Sequence, residues 1–199
     1  MYLKAFLTIM ILTFTLQSWT KADDISDFQI EGMSIGDSAL DYFSEIDINS
    51  FYRVDYNDDK FYLRESTDEF KFKFEIYDSI TFHAKKNDKN LIMHALGARK
   101  FFPNREKECK TLKSKIISSI QDVVKNLKKD SYRSYYKGLY KGKSYADVTE
   151  FSFKNGSFIR LWCVNWSKIV EKEKRWIDNL TIAFNTKEFY TWVTTKAHK

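Results

Sequence analysis

Residues 148–165 read VTEFSFKNGSFIRLWCVN. Two runs rich in β-branched and aromatic residues flank Asn155-Gly156, the strongest short-range signal for a hairpin. The stretch reads as two antiparallel strands, Val148–Lys154 and Ser157–Asn165, joined by a two-residue turn. Side chains alternate along a strand, so Ile159, Leu161 and Cys163 share one face.

Similar strand signals recur upstream. Phe51–Tyr56 and Phe61–Glu65 are short strand-like runs joined by Asn57-Asp58-Asp59-Lys60. Glu69–Tyr77, EFKFKFEIY, alternates: Phe70, Phe72, Phe74 and Ile76 face one way, Lys71, Lys73 and Glu75 the other. That pattern predicts an antiparallel strand with one dry and one wet face. Ile80–Lys85 and Leu91–Phe102 predict another hairpin around Lys86–Asn90. Asn179–Phe184 is a last strand.

Helical spacing marks three other regions. Pro103-Asn104 opens a long helix to about Lys129, whose apolar stripe runs Cys109, Leu112, Ile116, Ile117, Ile120, Val123, Val124 and Leu127. In Gly32–Glu45, residues Ile35, Ala39, Leu40 and Phe43 recur at helical spacing, with Ser34 or Asp37 to cap the start. Asn185 with Glu188 three residues on resembles a capping box, opening a closing helix that carries Phe189, Trp192 and Val193. Strands do not alternate with helices as a parallel sheet requires, and neither GxGxxG nor a Walker loop occurs. The expected fold is α+β: an antiparallel sheet of several hairpins with a long central helix and a C-terminal helix packed on one face.

The N-terminus reads as an address. Residues 1–22, MYLKAFLTIMILTFTLQSWTKA, carry a positive start at Lys4 and an apolar core from Ala5 to Leu16. Thr20-Lys21-Ala22 then puts small residues at the −3 and −1 positions of a cleavage site, as in a secretory signal peptide. The core would span only about 18 Å as a helix, too short for a bilayer. Residues 23–199 then form one domain, with a basic, aromatic linker at 130–145. That domain has no second apolar stretch long enough to span a membrane, and the expected location is periplasmic or secreted. Losing Lys4 and Lys21 lowers the formal charge from +6 to +4. So mild a charge on an exported chain argues against nucleic acid as a partner.

The chain has two cysteines, Cys109 and Cys163. Export favours their pairing. The link would close a loop of about 54 residues, worth about 4 kcal/mol by chain entropy. It would staple the long helix to the face of Ile159 and Leu161.

Chemical signatures are sparse. His83 and His94 fall in one predicted hairpin and would pair across its ladder, a weak start to a zinc site that lacks a third ligand. Gly32-Met33-Ser34-Ile35-Gly36 has the GxSxG spacing but reads as a helix entry and not as a strand-to-helix turn; HExxH and Cys–His patterns are absent, and no catalytic residue and no cofactor is assigned. The sharpest local anomaly is basic. Lys125, Lys128, Lys129, Arg133, Lys137, Lys141 and Lys143 face one acid, Asp130, and interleave with Tyr132, Tyr135, Tyr136, Tyr140 and Tyr145. Basic charge follows anionic polymers and aromatic faces stack on rings. A solvated connection explains the same composition. Trp162, Trp166, Trp176 and Trp192 are candidates for lining a ligand groove, or for the core.

Five stretches together carry a resemblance: IEGMSIGDSALDYF at 30–43, TFHAKKNDKN at 81–90, GARKFFPN at 97–104 leading to Cys109, FKNG at 153–156 with Cys163-Val-Asn-Trp-Ser, and DNLTIAFNTKEF at 178–189. Together they resemble a family of small uncharacterised exported proteins of streamlined marine alphaproteobacteria. That family has no assigned activity, so the resemblance implies export and no chemistry. The Gly32-Met33-Ser34 entry is also similar to the opening of the outer-membrane assembly lipoprotein and β-lactamase-inhibitor-protein fold, a fold alternative.

These readings converge on non-enzymatic binding in the cell envelope, to an anionic component or another envelope protein. A small hydrolase without a local motif is one alternative, and a structural or assembly module another.

Overall fold

The computed structural model describes residues 24–66, 72–124 and 127–198. Within them lie β1 (Tyr52–Asp55), β2 (Phe61–Glu65), β3 (Ser79–Lys85), β4 (Ala95–Phe101), β5 (Lys128–Tyr135), β6 (Tyr145–Ser152), β7 (Phe158–Asn165) and β8 (Asn179–Asn185). The helices are α1 (Glu45–Ser50), α2 (Glu106–Val123), α3 (Lys168–Lys174) and α4 (Lys187–Thr195). The α+β class expected from the sequence is the class observed.

All eight strands form one antiparallel sheet in the order β1-β2-β3-β4-β8-β7-β6-β5. The first four strands make a meander. From β4 the chain runs through α2 to the far edge, and a second meander returns inward until β8 closes on β4. That crossing spans four strand spacings, about 19 Å. The 18 residues of α2 reach about 27 Å, enough to cover it.

Register fixes what each face carries. Ile80, Phe82, Leu96, Ile182, Phe184, Leu161 and Ile159 point to one side and are each at most 4% exposed. Ile116, Ile117 and Ile120 of α2 cover them, together with Ile25, Ile30, Met33, Phe43 and Ile48 from the N-terminal segment. Cys109 and Cys163 join here as a disulfide with Cα atoms 6.1 Å apart, packed among Phe102, Leu112 and Leu180. On the opposite face, Phe61 and Ala95 bury against Phe189 and Trp192 of α4. The two expected helices therefore lie on opposite faces of the sheet, not in one layer. Phe61 and Ala95 alternate out of the main core and need their own cover.

Several local expectations give way to tertiary contacts. The long helix stops at Val123, not near Lys129. Val124 is extended (φ −124°, ψ 104°), and from Lys128 onward the chain pairs with β6. The expected linker at 130–145 is strand β5 followed by a turn with a 3₁₀ segment at Tyr140–Gly142. Gly32–Glu45 is not one α-helix: turns lead to a short 3₁₀ helix at Ala39–Asp41, capped by Ser38. Ile30 and Met33 exchange backbone hydrogen bonds of 2.9 and 3.0 Å, and Gly32 and Gly36 take φ of 80° and 94°, values that glycine adopts without steric cost. Ile35, Ala39 and Phe43 still reach the core, by way of turns. The helix begins later, at Ser44, which forms a capping box with Asp47.

Residues 72–77 of the alternating EFKFKFEIY run are irregular, and Glu69–Lys71 lie outside the described residues. The Glu31 carboxylate accepts from the amides of Glu75, Ile76 and Tyr77 at 2.8, 2.7 and 3.1 Å. Those donors are thus satisfied without a neighbouring strand. The hairpin after β6 has a three-residue loop, not two. Gly156 donates to the Phe153 carbonyl at 3.0 Å, Phe153 to Ser157 at 2.9 Å, and Gly156 takes φ 85°. This is a type I turn with a glycine bulge. Thr186, not Asn185, caps α4 by accepting from the Phe189 amide.

Candidate functional site

The face that carries α4 is covered only in part. Beyond that helix, β4, β7 and β8 leave a cleft of about 540 Å³, within the range of small-ligand sites. A larger hollow of about 680 Å³ runs along α2 alone and has no aromatic wall. The cleft is the better-built site.

Two connections make its walls. Between β7 and β8 the chain leaves the sheet at Trp166, runs through α3 and returns at Trp176-Ile177. Asp178 anchors this excursion, accepting from the Trp166 amide at 2.7 Å while its own carbonyl accepts from Phe102 at 2.7 Å. The rings of Trp166 and Trp176 meet with centroids 4.7 Å apart. From the β5–β6 connection, Tyr136 brings its ring to 4.8 Å from Trp166. Trp162 and Val164 of β7 lie below. Burial pushes the Tyr136 hydroxyl pKa above its ordinary value.

The floor is polar and pre-ordered. Asn179 donates to the Ile177 carbonyl at 2.8 Å and accepts from the Thr181 hydroxyl at 2.9 Å. Arg99 of β4 borders the cleft, but its guanidinium lies on Glu65 of β2 at 2.6 Å, on the side of β4 away from β8. Arg175 borders the cleft from the end of α3, with a left-handed backbone (φ 56°). Among the described residues, no hydrogen bond or ion pair engages Arg175 or the indole N–H groups of Trp162, Trp166 and Trp176. The contrast is Trp192. Its indole donates to Asp58 at 2.5 Å, and its ring is buried against Phe61 and Phe189. Three of the four candidate tryptophans thus share a site and the fourth is core.

The basic segment divides. Lys128–Tyr135 is an edge strand, exposed along its whole length. Lys128 pairs with Asp130 at 3.0 Å, and Arg133 forms a two-pronged pair with Asp147 at 2.6 and 2.9 Å. Lys129 donates to Gln121 at 3.2 Å, and Tyr135 packs loosely on Tyr145. Lys137 and Lys143 are exposed on the turn, Lys141 lies on its 3₁₀ segment, and Lys125 is outside the described residues. Among the described residues of this set, Tyr136 alone lines the cleft.

The histidines do not converge. His83 sits opposite Ala95, one position from the expected partner. Its Nε2 lies 2.9 Å from the Tyr56 hydroxyl and its ring packs on Phe189 at 4.3 Å. Burial pushes its pKa down to about 3. His94 turns toward Glu188 at 3.6 Å. Among the described residues, no three His, Cys, Asp or Glu side chains gather as a metal site. No helix among them is long and apolar enough to cross a membrane.

Arg99, Arg175, Asn179 and Thr181 carry no sequence signal of their own. They become a site only when β4, β8 and the end of α3 meet. No family model, no curated protein and no solved structure matches the chain.

Proposed function

We propose that the protein is an exported, non-catalytic binding module and that the tryptophan-lined cleft is its ligand site. The observation that carries this reading is the convergence of three indole rings with uncommitted N–H groups beside a pinned polar floor. A buried aromatic that serves only packing finds a partner for its polar tip, as Trp192 does. Trp162, Trp166 and Tyr136 pack on Ala146, Val148 and Val164, yet the three cleft indoles keep N–H groups that are neither buried nor engaged among the described residues. Catalysis finds little support: among the described residues, the lining holds no histidine and no carboxylate. Export is supported by the composition of residues 1–22, which lie outside the described residues, and by the Cys109–Cys163 disulfide.

Thermal unfolding with a panel of neutral and acidic oligosaccharides tests the reading. At least one member raises Tm with increasing concentration, and Trp176→Ala abolishes the rise. No rise with any member, or an equal rise in the variant, contradicts it.

A further inference from the structure

We infer that the cleft selects an acidic sugar: a pyranose ring whose carboxylate is held by Arg175. This rests on the cleft being the ligand site and adds the class of ligand.

The donor inventory supports it. Indole N–H and guanidinium groups donate and never accept. Three indoles and two arginines border the cleft, and among the described residues no acidic side chain lines it. The Asn179 amide and the Thr181 hydroxyl already engage each other and the Ile177 carbonyl. A ligand suited to this lining brings acceptors and negative charge. It also brings a flat apolar face for Trp166 and Trp176, whose rings meet at 57°. A pyranose offers C–H faces and hydroxyl oxygens, and a uronic acid adds the carboxylate. Guanidinium matches a carboxylate with two parallel donors.

The backbone at Arg175 points the same way. It takes φ 56° directly after α3, in a slot where glycine is the usual residue. A side chain there costs conformational energy, and no hydrogen bond or ion pair among the described residues offsets it. Arg99 is half-engaged: Glu65 holds Nη1, and the Ser79 hydroxyl donates to the same Glu65 oxygen at 3.3 Å. That pair compensates the Arg99 charge and holds its guanidinium toward β2, which leaves Arg175 as the unpaired cation among the described lining residues.

Titration calorimetry of residues 23–199 with trigalacturonate and with neutral galactotriose tests the inference. The expected result is at least about tenfold tighter binding of the acidic trimer, weakening with salt. Arg175→Gln removes most of that preference, Trp176→Ala abolishes binding of both sugars, and near-UV circular dichroism confirms that the variants are folded. Equal affinity for both trimers overturns the acidic class and leaves the cleft as a ligand site. A preference that survives in Arg175→Gln overturns the role of Arg175. Binding unaffected by Trp176→Ala, or binding of neither trimer, overturns the inference, and the first of these moves the site elsewhere.

Discussion

The rings of Trp166 and Trp176 lie 4.7 Å apart, although the whole of α3 separates them in the chain. The helix is a short loop-out whose ends return to the same edge of the cleft. Between the helix and Trp176 stands the left-handed Arg175. The turn that brings the two indoles together is therefore the turn that presents the cation.

Arg175→Gly separates stability from binding. Glycine relieves the left-handed backbone, so the variant gains about 1 kcal/mol in urea unfolding. The same change removes the guanidinium and weakens acidic-sugar binding. A variant less stable than the parent contradicts the strain, and unchanged binding contradicts the role of the side chain.

Much of this fold is legible in the sequence, and the failures have a common cause. The hairpin around Asn155-Gly156 is readable because turn chemistry and apolar runs are local. Face parity in β7 holds for any turn length, which is why Cys163 falls beside Ile159 and Leu161 as expected. Residues 72–77 mislead because alternation shows what a strand needs, not whether a partner strand exists. The amides of Glu75, Ile76 and Tyr77 are taken by Glu31, more than forty positions away. β5 is hidden for the opposite reason: an edge strand exposed throughout has no apolar period to read. The cleft is half legible: the sequence marks the tryptophans as a group, but only the return of the chain after α3 separates Trp162, Trp166 and Trp176 from Trp192.

The disulfide ties α2 to β7 across 54 residues of chain. Replacing both cysteines with serine costs about 4 kcal/mol in urea unfolding, by restoring entropy to the unfolded state. A loss below about 1 kcal/mol contradicts this.

His83 gives the fold an acid limit. The unfolded chain takes up a proton near pH 6.5, whereas the folded imidazole refuses one until about pH 3. Stability from this group is complete above pH 6.5 and falls as the pH drops toward 3. His83→Gln keeps a partner for the Tyr56 hydroxyl and does not titrate. Its deficit relative to the parent should shrink by roughly 2–3 kcal/mol between pH 6.5 and 4. A constant gap in urea unfolding contradicts the assignment.

The charges of β5 guard a sheet edge. Exposed edge strands invite pairing with other chains, and lysines discourage it. Changing Lys128, Lys129 and Arg133 together to threonine promotes self-association in sedimentation velocity and leaves retention on anionic liposomes unchanged. A monomeric triple variant that has lost liposome retention returns this strand to the role of an anion-binding surface.

The most direct measurement follows the indole N–H resonances of residues 23–199 during titration with trigalacturonate. The account predicts that Trp162, Trp166 and Trp176 shift together and saturate with one Kd, while Trp192, held by Asp58, stays in place. Still cleft indoles, or a Trp192 that moves with them, would contradict it.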